Sequence, residues 1–258
     1  MKKGFTLVEL SIVLVIIGLL IGGVLVGQSL IESAKLNSFV RQVQQLDIAT
    51  NIFKAKYKSI PGDNDLSSVA TRNAAGGGTT VIKNDGLLMD DDGAYNTFDI
   101  NTEASNYFLD LNSMENVKFK NCATIHNSYD AVVLSGPNCN TPRGDLGDNT
   151  NILVFTGNPN DTYFKGKNLY YFMDCTKMVN TFLNSVPGGG CSATFTAPQA
   201  ISYDQKVDDG VANSGIVVGV QNAPIPDFSI ALPVISAYDI STPSVKTVVL
   251  IQKIGSLN

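Results

Sequence analysis

The feature that most constrains this chain is an apolar segment close to its N-terminus. From Phe5 to Val26 the only charged residue is Glu9. A helix of this length can cross a hydrocarbon core of about 30 Å, at about 1.5 Å per residue. The remainder of the 258 residues is rich in Asn, Asp, Gly and Thr and has the composition of a water-soluble domain. We therefore predict one membrane-spanning helix followed by one globular part.

The charges on either side of the apolar segment predict its orientation. Lys2 and Lys3 precede the segment and no basic cluster follows it. The positive-inside bias therefore leaves the first residues in the cytoplasm and places everything after Gly27 across the membrane. The formal net charge is -5, and no stretch of Lys and Arg could follow a phosphate backbone. A nucleic acid partner is not expected.

A second pattern indicates that the helix continues beyond the membrane. Apolar side chains recur at helical spacing with polar side chains between them, and no proline interrupts before Pro61. Pro61 disfavours the helical conformation of Ile60, so the helix is predicted to end in the turn from Ser59 to Gly62. The expected helix spans residues 5–58, with its membrane half at about 5–27. The apolar positions after the membrane half are Phe39, Val43, Leu46, Ile52, Phe53 and Tyr57.

The residues at the start of the helix form a motif. A short basic leader ends in Gly4, Phe5 follows it, and Glu9 lies four residues beyond Phe5 at the head of the apolar run. This arrangement resembles the processing site of type IV prepilins and of the pseudopilins of type II secretion. The resemblance implies that a prepilin peptidase, a membrane-embedded aspartyl peptidase, cuts between Gly4 and Phe5. It also implies methylation of the new amine of Phe5.

The same resemblance implies an architecture and a role. The expected fold class is α+β, with the long N-terminal helix packed on an antiparallel-sheet head as in pilins. The chain then divides into a leader peptide at 1–4, the helix at 5–58 and an extracytoplasmic head at 59–258. The implied function is that of a pilin, minor pilin or pseudopilin in the bacterial inner membrane. Such a subunit assembles with other pilin-like subunits into a pilus-like or secretion filament, with its head periplasmic or extracellular.

Glu9 places a charge where lipid disfavours it, at about 2.5–3.5 kcal/mol near the centre of a bilayer. The amine of a mature Phe5 is largely cationic and is a suitable partner. A helix holds its own amine in a poor position for this contact, and the resemblance implies that the pair forms between neighbouring subunits. The alternative is that Glu9 extends to the cytoplasmic interface.

A different class of function is an uncleaved single-pass binding protein or a calcium-dependent adhesin, held permanently by the apolar segment. A monomeric anchor has no evident use for a carboxylate at Glu9, which favours the filament subunit. Signals for catalysis are sparse, because His126 is the only histidine and no Gly-x-Ser-x-Gly motif is present. The glycines at 76–78 are followed by no P-loop lysine. We expect a protein that is not an enzyme.

Four cysteines lie in the predicted head, and an even number in an oxidising compartment suggests two disulfides. The favoured pairs are Cys122 with Cys139 and Cys175 with Cys191, because both loops are short and each contains a Pro or Gly turn. Free thiols are the alternative. A zinc site is disfavoured, because the chain has no C-x-x-C motif and a single histidine.

Three groups of acidic residues suit Ca2+, which takes oxygen ligands from carboxylates and carbonyls. The first is Asp204, Asp208 and Asp209, in a stretch that also resembles larger prepilin-like proteins; helical spacing puts Asp204 and Asp208 on one face. The other two lie at 63–65 and 84–93. None has the EF-hand spacing, and Asp, Asn and Gly are also ordinary turn residues. Apart from Ca2+ at such a group, no cofactor is expected.

Short apolar runs and turn residues predict the elements of the head. The predicted strands are 116–120, 131–134, 152–156, 169–173, 215–220 and 245–251. The predicted helices are 102–111, 176–183 and 197–207.

Overall fold

The computed structural model describes the N-terminal helix and the main sheet of the head. The described residues are 6–63, 85–88, 103–114, 124–125, 131–132, 138–139, 141–146, 150–157, 163–174, 178–179, 192–221 and 234–255. The helices in these stretches are α1 (Leu7–Tyr57), α2 (Glu103–Asn112) and α3 (Ala197–Val207). The strands are β1 (Thr124–Ile125), β2 (Ala131–Val132), β3 (Asn138–Cys139), β4 (Thr150–Thr156), β5 (Asn168–Asp174), β6 (Met178–Val179), β7 (Ser192–Ala193), β8 (Phe195–Thr196), β9 (Val217–Gln221) and β10 (Lys246–Lys253).

Helix α1 contains 51 residues and is about 75 Å long by its rise per residue. At its start, Thr6 has an extended backbone, and its hydroxyl accepts a hydrogen bond from the backbone N–H of Glu9 in a capping box. At its end, Lys58 adopts the left-handed conformation with φ of 60°, and its N–H donates to the carbonyl of Lys54. The helix therefore ends just before the turn that the sequence predicts.

Six of the described strands form the main sheet of the head, and their pairings are antiparallel. Strand β5 lies between β4 and β10, with Thr150 opposite Asp174 on one side and Leu250 opposite Phe172 on the other. Strand β10 also pairs with β9 and β8, and β7 pairs with the end of β5. The central strands β5 and β10 are nearly continuous apolar runs, as expected for strands buried on both faces.

The two faces of the sheet belong to different apolar clusters. Alternate side chains of a strand point to opposite faces. Tyr170 and Phe172 of β5 belong to the cluster that includes the buried side chains of α1, α2 and α3. Leu169 and Tyr171 belong to the second cluster, together with Phe164. The head therefore has one core between its helices and the sheet, and another on the far side of the sheet.

Phe39 anchors the upper half of α1 in the first cluster. Its ring centroid lies 5.0 Å from that of Phe172, 5.9 Å from that of Phe195 and 5.7 Å from that of Tyr203. These are normal distances for interacting aromatic rings. The head-facing stripe of α1 consists of Leu36, Phe39, Val40, Val43, Leu46, Asp47, Ala49, Thr50 and Phe53, all buried.

The structure confirms the predicted α+β fold, in which a long N-terminal helix packs on an antiparallel-sheet head. The strands predicted at 152–156, 169–173, 215–220 and 245–251 correspond to β4, β5, β9 and β10. The helices predicted at 102–111 and 197–207 correspond to α2 and α3. The strand predicted at 131–134 is observed over its first two residues, as β2.

The helix predicted at 176–183 is wrong at Met178–Val179, which form β6 and pair antiparallel with Ala131–Val132. A short apolar run between turns is compatible with either structure, and here pairing with a distant segment decides the outcome. The two-residue strands β1, β3, β7 and β8 were not predicted, because such short segments have no periodicity. The strand predicted at 116–120 lies outside the described residues.

Candidate functional site

The N-terminal half of α1 makes no packing contact with the described part of the head. Each residue from Leu7 to Val26 is exposed. The helix is long and apolar enough to cross a membrane, and its most apolar stretch is not buried at all. An apolar surface of this extent is unfavourable in water and marks a contact with lipid or another apolar partner. Among the described residues α1 is the one helix of this kind, and it marks the chain as membrane-anchored.

Glu9 lies in the first turn of α1 and is held by Thr6. Its Oε2 accepts a hydrogen bond from the backbone N–H of Thr6 at 2.8 Å and another from the Thr6 hydroxyl at 2.9 Å. Oε1 takes part in neither bond. The capping box thus gives the carboxylate a partner within its own chain, and the sequence motif alone does not predict this contact. The predicted processing residues, Gly4 and Phe5, lie outside the described residues.

The upper half of α1 also carries two exposed isoleucines. Ile48 is 58% exposed and Ile52 is 53% exposed. Residues four apart lie on the same face of a helix, and this face points away from the buried stripe. Exposed apolar surface on α1 therefore extends beyond the membrane half, alongside the head.

Asp204, Asp208 and Asp209 are close together at the end of α3. One oxygen from each lies within 4.8 Å of the others. Asp204 is buried, and its Oδ1 accepts from the N–H of Gly210 at 3.2 Å while its Oδ2 accepts from the hydroxyl of Tyr238 at 2.7 Å. The bond from Gly210 holds the start of the loop that leads from α3 to β9, and the bond from Tyr238 ties α3 to the segment that precedes β10.

The carboxylate of Asp208 holds the other end of this loop. Its Oδ2 accepts from the backbone N–H groups of Ile216 and Val217, the latter at 3.1 Å. Gly215 has a φ of +74°, and a Cβ at this position would overlap the carboxylate of Asp208. A glycine is therefore required both by the backbone conformation and by the close approach of the side chain.

Asp209 closes the middle of the loop. Its Oδ1 accepts from the N–H of Val211 at 2.8 Å, and its Oδ2 accepts from the hydroxyl of Ser214 at 2.6 Å. The hydroxyl and amide bonds hold the pKa of Asp209 below its ordinary value. The group is exposed, so the effect on stability is small.

The pKa of Asp204 is shifted in the opposite direction, above its ordinary value. Burial is the largest cause and raises the pKa of Asp204 to about 6, although the hydrogen bonds from Tyr238 and Gly210 lower it. The neighbouring carboxylates of Asp209 and Asp208 raise the pKa of Asp204 further. Mutual repulsion among the three groups is the property that a bound cation would relieve.

The carboxylate oxygens are the ligand type that Ca2+ prefers. In the described structure, however, five of their six oxygens already accept the hydrogen bonds given above: both of Asp204, Oδ2 of Asp208 and both of Asp209. The arrangement is sufficient to organise the loop without an ion. Ca2+ binding by Asp204, Asp208 and Asp209 stays a prediction.

The structure also brings together three carboxylates that the sequence does not predict to lie close to one another. Carboxylate oxygens of Asp63, Asp85 and Glu103 lie within 4.8 Å of one another, with Asp63 and Glu103 buried and Asp85 exposed. Asp63 accepts from the N–H of Gly86 at 2.6 Å. The sequence places Asp63 and Asp85 in separate acidic groups and Glu103 in neither of them. The only signal for Glu103 was its acidic character at the start of a predicted helix.

The predicted disulfides are not tested by the described structure. Cys139 lies in β3, of which only the backbone is described, and it pairs with Ile125 in parallel strands. Cys122, Cys175 and Cys191 lie outside the described residues. The pairs 122–139 and 175–191 stay predictions.

Residues 1–25 match the family model of the prokaryotic N-terminal methylation motif, the signature of type IV pilins and pseudopilins. The match confirms the resemblance seen at residues 2–9 and covers most of the membrane half of α1. The comparison with curated proteins gave no match, and neither did the comparison with solved structures. The motif points to a structural subunit rather than to an enzyme.

Proposed function

We propose that this chain is the precursor of a pilin, minor pilin or pseudopilin, which assembles into a pilus-like or secretion filament. The observation that carries the proposal is the exposed apolar half of α1 within and directly after the methylation motif. In this proposal a prepilin peptidase cuts between Gly4 and Phe5, and the new amine is methylated. The subunit resides in the lipid of the inner membrane, with its N-terminus in the cytoplasm, before it packs against other pilin-like subunits.

The exposure of Ile48 and Ile52 supports packing between helices rather than simple anchoring. A helix that only held the head at the membrane would need apolar surface within the lipid and nowhere above it. These isoleucines lie beside the head, beyond the membrane half, and are more than half exposed. Neighbouring helices in a filament would bury them.

Glu9 supports assembly through its charge. After cleavage, the amine of Phe5 in an adjacent subunit would be cationic, and attraction between opposite charges is strong in a medium of low dielectric. The Thr6 bonds use only Oε2 of Glu9, so Oε1 is left for such a partner.

The capping box also favours a second candidate, the uncleaved single-pass binding protein or adhesin. Because Thr6 accepts and donates hydrogen bonds with Glu9, the carboxylate has a use in a monomer as a helix cap. The presence of Glu9 therefore separates the two candidates less well than the sequence suggests. Processing and assembly distinguish them.

The test is expression of the full chain with a prepilin peptidase, followed by mass spectrometry of the N-terminus and electron microscopy of surface filaments. We expect a chain that begins at a methylated Phe5 and filaments that carry the labelled head. Recovery of an intact Met1 end in cells that process other prepilins would reject the proposal in favour of the uncleaved anchor.

Two matched variants sharpen this experiment. Glu9→Gln should insert and fold normally but lose most of its incorporation into filaments, because the neutral amide attracts the incoming amine much less. Glu32→Gln makes the same change at an exposed site farther along α1, and should assemble normally. Equal incorporation of both variants would contradict a pairing role for Glu9.

A further inference from the structure

A short segment of the head, residues 141–146, runs along the edge of the main sheet and reaches α1. We call this segment the strap. Arg143 forms an antiparallel bridge with Asn151 of β4, and the backbone N–H of Gly144 donates to the carbonyl of Thr150 at 2.8 Å. Because backbone hydrogen bonds tie the strap to β4, its position is fixed by the sheet.

Two polar side chains of α1 bind the strap. The side-chain amide of Gln42 uses both of its ends: Nε2 donates to the carbonyl of Arg143 at 2.6 Å, and Oε1 accepts from the N–H of Asp145 at 2.8 Å. One turn earlier, the hydroxyl of Ser38 donates to Oδ2 of Asp145 at 2.6 Å. Residues four apart share one face of a helix, so Ser38 and Gln42 reach the strap together. These three bonds form a polar clamp between α1 and the head.

The strap also lies directly against the aromatic anchor of α1. A Cβ at Gly144 would lie 2.6 Å from Cε2 of Phe39 and 2.8 Å from Cγ2 of Thr150, so this position has no room for a larger residue. The ring of Phe39 also packs against Phe172 of β5 and Tyr203 of α3. The polar clamp therefore closes around a helix segment that the sheet and α3 already contact.

The polar clamp lies at the lower end of the buried stripe, where α1 leaves the head. The stripe begins at Leu36. Farther up, Asp47 accepts from the N–H of Gly255 at 3.1 Å, and the hydroxyl of Thr50 binds that of Tyr107. The polar contacts at the two ends of the stripe are about 18 Å apart by the rise per residue. Hydrogen bonds are directional and apolar contacts are not, so the two sets of bonds together fix the direction of the helix.

We propose that Gln42, together with Ser38, is a positioning residue that sets the angle at which α1 leaves the head. The membrane half acts as a lever on this angle. Leu20 lies about 27 Å from Ser38 along the helix, so a pivot of about 10° at the polar clamp would displace Leu20 by about 5 Å. A single angle would give every incoming subunit the same geometry. This consequence for assembly rests on the proposed function, whereas the angle itself does not.

The experiment measures the angle in the full chain in detergent micelles, by electron–electron double resonance between two spin labels on non-natural residues. One label stands at the position of Leu20. The other stands at Ser241 or, in a second sample, at Lys165, and all three positions are exposed. We expect one narrow distance distribution for each wild-type pair. In Gln42→Ala at least one of the two distributions should shift or broaden by an amount on the order of 5 Å.

The matched control is Gln45→Ala, which removes the same side chain from an exposed position of α1. Its distance distributions should match those of the wild type. Ser38→Ala removes one of the three bonds, and should cause a smaller change in the same direction as Gln42→Ala.

A second readout separates positioning from a purely structural role. Arg143 and Asp145 are partly exposed, so water can replace the bonds lost in Gln42→Ala and the head should stay folded. Near-ultraviolet circular dichroism of the tyrosines should therefore match the wild type. Three results would overturn the proposal: unchanged distances in Gln42→Ala for both pairs, an equal change in Gln45→Ala, or a change that comes with loss of the circular dichroism signal.

The proposal and the proposed function fail in different ways. In the filament assay, Gln42→Ala should be processed normally and incorporated less than the wild type. An unprocessed N-terminus in the wild type would reject the proposed function, and the angle would still be set by the polar clamp. Unchanged distances in Gln42→Ala would overturn the role of Gln42 whether or not filaments form.

Discussion

The two halves of α1 differ in their surroundings although a single helix carries both. From Leu7 to Val26 the apolar side chains cover all faces and are exposed, whereas from Leu36 to Phe53 all but Ile48 and Ile52 of the larger ones form one stripe buried against the head. A helix that is apolar all round suits lipid, and a stripe suits a soluble core. The distribution of apolar residues around the helix, rather than the helical conformation itself, therefore determines the environment of each half.

Because their surroundings differ, the two halves of α1 should contribute independently to different properties of the protein. The side chains of the membrane half are exposed and make no packing contact with the head residues that the structure describes, so they should contribute to insertion and assembly but not to the stability of the head. The upper half should do the reverse, apart from its outward-facing isoleucines. Matched substitutions in the two halves test this separation.

The largest effect is expected from a pair of leucines. Leu46 is 4% exposed and belongs to the core of the head, whereas Leu20 is 63% exposed in the membrane half. Leu46→Ala should lower the free energy of unfolding of the head by about 2–5 kcal/mol, because it removes buried methyl groups and leaves a cavity. Leu20→Ala should leave it unchanged. Urea unfolding of both variants in micelles is the measurement, and equal losses would show that the halves are energetically coupled.

A smaller effect is expected from the two capping boxes. Thr6 caps α1 with Glu9, and Thr196 caps α3 with Gln199 in the same way. Thr196→Ala should lower the unfolding free energy of the head by about 1 kcal/mol, because it removes the bond to an otherwise unpaired N–H. Thr6→Ala should affect only the start of α1, with no change for the head. Thermal unfolding monitored by near-ultraviolet circular dichroism of the tyrosines compares the two, and a loss of head stability in Thr6→Ala would contradict the separation.

The smallest effect on stability is expected at Ile52, which belongs to the upper half but faces away from the head. Ile52→Gln should change the unfolding free energy by less than about 0.5 kcal/mol, as is usual for exposed sites. Incorporation into filaments should nevertheless fall, because a polar side chain would replace apolar surface between helices. Filament yield and urea unfolding are measured together. A clear loss of head stability would place Ile52 in the core rather than at a subunit contact.

Much of the fold could be predicted because its signals are local. The bounds of α3, 197–207, follow from Pro198 in the first turn and from Gly210 as the stop, and the central strands follow from their apolar runs. The short strand at Met178–Val179 could not be predicted, because its partner lies far away in the sequence. The same applies to Glu103, whose proximity to Asp63 and Asp85 depends on how α2 packs.

Composition and spacing along one segment are sufficient to predict the membrane half, the methylation motif and the long helix. The burial and the partners of individual polar groups depend instead on tertiary packing. Asp47 is one of the polar residues of the amphipathic pattern in α1. In the structure it is nevertheless buried, beside Tyr170 and Gly255. Burial and hydrogen bonding arise from residues distant in sequence, and these set the pKa of a carboxylate. A pattern read along one helix cannot contain that information.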